Sequence, residues 1–216
     1  MRARSAAPSE RTRVKRAHEC GAYDRGTIDA ILDAGCLCHV GYVIDGAPYV
    51  TPTLYWRDGD RVYWHGSSAS RMLRASEGTP VCVAVSHLDG LVLARSAFHH
   101  SANYRSVMLF GEAVKVDDPA AAAAHLETFV ERLFPGRWAE LRPMTDRELK
   151  ATTLLSIPID EASAKIRTGP PKDDEEDYGW PVWAGVLPMR TVLDAPLPDQ
   201  RNPDGLLPPR CRLPID

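Results

Sequence analysis

The sequence predicts a mainly β chain, an antiparallel barrel of about six to seven strands with attached helices. Three observations carry this. Short β-rich runs outnumber helical patterns, and the pairs Asp45-Gly46 and Asp58-Gly59 join neighbouring runs as hairpin turns. The helical patterns do not alternate regularly with strands, which argues against a doubly wound parallel sheet. The composition, 44% hydrophobic and 25% charged over 216 residues, is that of a globular chain with one substantial core or at most two small ones.

Taken in order, residues 1–16 are basic and polar without the apolar segment of a secretory signal, and read as a disordered lead-in. Asp24 opens a helix over 25–34 with Ile28, Ile31 and Leu32 on one face, and Gly35 is placed to stop it. Runs at 36–44, 47–56 and 61–64 then form a three-stranded meander. A small polar bend leads into a helix start at Met72-Leu73. Pro80 precedes a strand over 81–86, which Asp89-Gly90 is expected to turn into another over 91–97. A long strand over 104–116 follows. Asp117-Asp118-Pro119 starts a helix that runs to Phe134 and ends at Pro135-Gly136. Residues 148–155 fit either helix or strand. Runs at 156–159 and 162–167 close the barrel, with Pro158 restricting the first to an edge or a bulge. The expected division is therefore a lead-in over 1–16, a barrel domain over 17–168, and a charged linker with an aromatic and proline-rich segment over 169–216. Trp180 and Trp183 give that last segment reason to dock on the barrel or on a partner subunit.

Several function classes are disfavoured. A net charge of −3 speaks against a general nucleic-acid surface, and no apolar run is long enough to span a bilayer. Five cysteines without framework spacing fit a reducing cytoplasm better than a disulfide scaffold. Cys36 and Cys38 share one face of a strand but lack the further ligands a metal site needs. His99 and His100 would point to opposite faces of a strand and so not easily bind one metal together, although on a loop they could. There is no P-loop, no dinucleotide fingerprint after a strand and no nucleophile elbow.

The bend Trp64-His65-Gly66-Ser67-Ser68-Ala69-Ser70-Arg71 carries the clearest chemistry. Hydroxyls, backbone N–H groups at a helix start and a guanidinium together suit a phosphate. An ordinary capped helix fits the same residues. Asn103, Tyr104, Arg105 and Ser106 would add a second polar wall if their strand lay beside this bend.

Together, the bend, the stretch Phe98-His99-His100-Ser101-Ala102-Asn103-Tyr104-Arg105-Ser106-Val107 with Gly111 soon after, and the ending Pro181-Val182-Trp183-Ala184-Gly185-Val186-Leu187-Pro188 resemble the pyridoxamine 5′-phosphate oxidase-like flavoproteins. The likeness is greatest to the branch that includes nitroimidazole-resistance proteins, and it covers most of residues 12–189. The resemblance implies a split β-barrel that pairs as a homodimer with FMN at the subunit interface. It implies that Ser70 and Arg71 hold the FMN phosphate, with Ser67 and Asn103 as further donors. Arg105 and Ser106 would contact the phosphate and ribityl chain. Pro52, Thr53 and Leu54 would run along the flavin ring. His65 would stand near the cofactor as the best catalytic acid–base candidate, and Trp183 would approach the ring, from its own or the partner chain. The ending lacks the basic residues with which true pyridoxamine phosphate oxidases grip their substrate, since Trp183 is followed by Ala184-Gly185-Val186-Leu187. The expectation is thus an FMN-dependent oxidoreductase acting on a small aromatic or nitro compound, reduced by NAD(P)H or a reductase. Two other readings stand beside it: a haem-handling split-barrel protein with His65, His99 or His100 on the iron, and a non-catalytic flavin carrier. The resemblance also leaves a deazaflavin in place of FMN open.

Overall fold

The computed structural model describes residues 6–212. After a two-residue strand β1 (Gly21–Ala22), helix α1 (Arg25–Asp33) is capped by Asp24, whose carboxylate accepts the Thr27 N–H at 2.9 Å. Its apolar face buries Ile28, Ile31 and Leu32. Strands β2 (Leu37–Ile44) and β3 (Ala47–Asp58) form a hairpin whose turn residues Asp45 and Gly46 have φ of 50° and 78°. That conformation matches the right-handed twist of the flanking strands. Gly59, with φ of 58°, turns the chain into β4 (Arg61–Ser67), and a short α2 (Arg71–Ser76) follows.

Then come β5 (Pro80–Leu93), β6 (Ser101–Glu112), the two-residue β7 (Val114–Lys115) and α3 (Pro119–Leu133). Asp118 caps α3 and Pro119 opens it. The ambiguous stretch divides: α4 (Asp146–Ala151), held by a capping box between Thr145 and Glu148, passes directly into β8 (Thr152–Pro158). Strands β9 (Glu161–Arg167) and β10 (Gly185–Pro188) complete the set.

All strand pairs are antiparallel, in the order β1-β9-β6-β5-β2-β3-β4-β8-β7, with β10 added against β5. The sheet does not close, as a split barrel requires. It curls around one core in which Val40, Trp64, Val83, Leu109 and Leu155 meet Leu32 of α1 and Leu73 of α2. A second cluster, Trp56, Tyr63, Leu126 and Leu154, lies on the outer side under α3. Among the described residues, three of the ten strands, β1, β7 and β10, have four residues or fewer, too short to leave an alternation in the sequence.

Two expectations are corrected. Asp89-Gly90 does not turn the chain. β5 runs through it, and the register against β6 passes from Leu88↔Tyr104 to Gly90↔Asn103, a bulge that leaves Asp89 as the extra residue. Gly90 is needed there for closeness: a Cβ would meet the Leu187 carbonyl oxygen of β10 at 3.0 Å. Nor is the described part of the lead-in unstructured. Thr12 is buried and donates to the Ser9 carbonyl at 2.8 Å, and Arg11 pairs with Glu161 and lies 5.3 Å over the Phe110 ring. Residues 1–5 of that expectation, and 213–216 of the C-terminal one, lie outside the described residues.

Candidate functional site

Alternation on β3 turns Tyr55 into the core, where its hydroxyl donates to the Leu32 carbonyl at 2.6 Å. Val50, Pro52 and Leu54 therefore share the opposite face with Trp56. Trp56 is covered by α3; Val50, Pro52 and Leu54 are bare. Thr53, on the inner face, directs its hydroxyl to the Leu54 carbonyl at 3.5 Å. On β4, Tyr63 and His65 continue the outer face.

His65 sits where the covered part of this face meets the bare part. Its ring is edge-on to Trp56 and Phe129, at 5.8 and 5.1 Å between centroids. Its Nδ1 is buried without a hydrogen-bond partner, and burial holds its pKa below the ordinary 6.5. The imidazole is neutral at pH 7, wedged between aromatic rings rather than aligned by a carboxylate.

The bend after β4 is at the surface. The Ser67 hydroxyl accepts the Ala69 N–H at 3.2 Å, and the Ser70 N–H donates to the Ser67 carbonyl at 2.8 Å. Ser70 stands at the N-cap of α2 with its hydroxyl making no capping bond, so that donor remains available. Arg71 is exposed and lies 4.8 Å over the Tyr49 ring. Ser67, Ser70 and Arg71 thus come together, a few residues of chain from His65 and beside β3.

Asn103, Arg105 and Ser106 do not join them within one chain. Two strands, β5 and β2, lie between β6 and β3. Asn103 is buried and committed: its amide donates to the Gly169 carbonyl at 3.1 Å, and its oxygen accepts from Arg167 at 2.5 Å. Arg105 is held by both oxygens of Asp89, and Ser106 donates to the Lys165 carbonyl at 3.3 Å. A second wall beside the serine bend, expected on the sequence, is therefore not present in the single subunit.

Trp183 precedes β10 and is 63% exposed. Its ring folds back on its own chain, close enough that a Cβ on Gly185 would stand 2.8 Å from it. The segment before it is strapped down by Asp173, which takes both the N–H and the guanidinium of Arg95. The paired histidines are engaged elsewhere: His99 Nε2 is 3.2 Å from Asp174, and His100 Nδ1 is 2.9 Å from the Ser96 carbonyl.

The residue pattern did not reveal a cleft of about 400 Å³ at the fork between β2 and β5. These strands pair only at His39↔Ala84, Val40↔Val83 and Gly41↔Cys82. Beyond His39 they part, leaving Gly35 and Leu37 on one side and Ser86 to Asp89 on the other, with Met189 and Arg190 as a third wall. Inside it, His87 donates through Nε2–H to the Ile31 carbonyl at 3.0 Å, and its ring fills the place of a Gly35 side chain. The only local signal was a lone histidine in the outward positions Leu37, His39, Gly41 and Val43 of a strand. A larger hollow of about 1020 Å³ lies between the N-terminal segment, β1 and the start of α1, and is lined by none of the expected site residues.

Residues 24–166 match the family model described as pyridoxamine 5′-phosphate oxidase. No curated protein matches the chain. Among solved structures, the flavocytochrome Anf3 from Azotobacter vinelandii is 54% identical, covering 94% of this chain and 96% of that one, with a TM-score of 0.91. An FAD and haem binding protein from Mycobacterium smegmatis is 40% identical over 88% of this chain and 94% of that one, with a TM-score of 0.84. A putative 5-nitroimidazole antibiotic resistance protein from Bacteroides thetaiotaomicron, 21% identical over 68% of this chain and 86% of that one, has a TM-score of 0.56 and shares the fold.

Proposed function

The chain belongs to the pyridoxamine 5′-phosphate oxidase family, and from that premise we propose that it is a flavin-dependent oxidoreductase that also carries haem. The observation that carries this reading is the near full-length likeness to a flavocytochrome and to an FAD and haem binding protein. Local chemistry agrees with the flavin half. Ser70 and Arg71 offer an available hydroxyl and a guanidinium to a phosphate, and the bare strip Pro52 to Leu54 offers an apolar edge to a flat ring. The family resemblance implied FMN; we take the flavin to be FAD on the strength of the M. smegmatis relative, since both share the ring and the first phosphate.

A bound flavin would supply hydride or electron transfer through its N5. The protein's part is to hold the phosphate at Ser70 and Arg71, to seat the ring along β3, and to keep a neutral imidazole, His65, at its margin. A nicotinamide donor and a small aromatic acceptor complete the proposed reaction. The setting we propose is the cytoplasm, where all five cysteines, free here, stay reduced.

The active unit we propose is a homodimer. Val50, Leu54 and Met108 are exposed on the outer face of the sheet, a patch that a second copy would cover. It would also allow Arg105, Ser106 and Trp183 of one chain to reach the serine bend of the other, which one subunit alone does not arrange.

The test is an absorption spectrum of the purified protein, with the released flavin identified by mass spectrometry and turnover assayed with NAD(P)H and a nitroaromatic acceptor. Flavin bands, a Soret band and turnover support the reading. Bound cofactors without turnover would make it a carrier, and a colourless protein that takes up neither cofactor would sink it.

A further inference from the structure

We propose that His39 is the axial ligand of haem iron, with the haem seated in the cleft at the fork between β2 and β5. This rests on the haem part of the reading above and assigns its site.

Of the seven imidazoles, His18 lies 3.8 Å from Glu19, and His125 lies 3.4 Å from Asp58 and stacks on Tyr63. An iron ligand must offer a neutral ring nitrogen with room beyond it for a macrocycle. His65 is enclosed by Trp56 and Phe129. His99 and His100 are spent on Asp174 and the Ser96 carbonyl. His87 lines the cleft, yet its Nε2 is bound to the Ile31 carbonyl and its ring is packed on Gly35. His39 differs from all of these. It stands exposed on the outer sheet face at the last paired position before the fork. No hydrogen bond or ion pair holds it among the described residues. Its cross-strand neighbours are Pro52 and Ala84, both short, and it lines the cleft.

The walls suit the ligand. Leu37 and Leu88 offer apolar surface to a porphyrin, and a volume of about 400 Å³ is that of a cofactor cleft rather than a surface dimple. At the rim, Arg190 makes no ion pair among the described residues, so its guanidinium is available to a propionate, while Arg105 beside it is shared with Asp89. Coordination moves no electrons: the imidazole lone pair is donated to the iron, and a water leaves if one was bound there. The Pro52 strip proposed for the flavin ring is paired directly with His39, which places the two redox groups side by side.

The experiment titrates the full-length protein with hemin and follows the Soret and ligand-field bands, with flavin content and circular dichroism measured on the same samples. Wild type is expected to bind. His39→Ala should weaken haem binding by roughly tenfold or more and lose the histidine-ligated spectrum, with added imidazole restoring it, while flavin content and fold stay unchanged. His39→Met should bind with a shifted spectrum, and His99→Ala should match wild type. A His39→Ala protein with unaltered affinity and spectrum overturns the assignment while leaving the haem reading intact. A wild type that takes up flavin but no haem overturns both the haem reading and the assignment.

Discussion

Arg105 on β6 grips Asp89 on β5 with two prongs, Nε to Oδ2 at 2.9 Å and Nη2 to Oδ1 at 2.8 Å. Asp89 is the residue that the bulge leaves without a partner in the β5–β6 register. The irregularity thus frees a carboxylate to hold a guanidinium at the margin of the cleft. Both side chains are partly exposed, so the pair contributes about 1 kcal/mol or less to stability. Asp89→Asn should lower the urea midpoint only slightly. Because it frees Arg105 for an anionic ligand, it should raise affinity for a dicarboxylic porphyrin in the hemin titration; reduced affinity would show that Asp89 orients Arg105 instead.

Gly90→Ala tests the contact that β10 makes with the bulge. The added Cβ would meet the Leu187 carbonyl oxygen at 3.0 Å and Val186 at 3.1 Å. A four-residue edge strand yields more readily than β5. The expected result is early proteolytic loss of the chain beyond residue 184 with little change in the melting of the barrel. Equal protease resistance in both proteins would show that β10 absorbs the methyl group.

Burial sets the sign of a pH effect at His65. Its pKa is lowered by desolvation, so the unfolded chain binds the proton better than the folded one. The stability this group contributes is full above the ordinary value of 6.5 and falls as pH drops below it, by at most about 1.4 kcal/mol per pH unit. It levels off once the folded-state pKa is passed. His65→Phe, which keeps a ring between Trp56 and Phe129, should flatten this part of the stability curve. Parallel curves for variant and wild type would mean that the ring is solvated in the folded protein.

Exposed leucine and valine on one sheet face make the dimer testable. Val50→Glu and Leu54→Glu place charge on a surface that is open in the monomer, so folding should be unaffected. Sedimentation should show dimeric wild type and monomeric variants, and the monomers should retain less flavin if the site is shared between subunits. Monomeric wild type at micromolar concentration would remove the two-chain site.

Much of this protein could be read before folding was considered. The Asp24 and Asp118 caps, the Asp45-Gly46 hairpin and the alternation of β2, β3 and β6 all depend on residues within a few positions of one another, and each stood close to where the pattern placed it. The serine bend with Ser67, Ser70 and Arg71 was legible for the same reason. Arg105 was recognised as a polar residue near a strand end, but its partner was not.

What the sequence determined by itself is the class of fold, since backbone turn preferences and hydrophobic period are local properties that a single stretch of chain displays. Tertiary structure alone decided that Asp89-Gly90 is a bulge under β10 rather than a turn, that Asn103 is sealed against Gly169, and that β2 and β5 part at His39 to leave a cleft. The physical reason is that each of these outcomes is a contact between segments far apart in the chain, and the energy that selects it resides in the pairing, not in either segment.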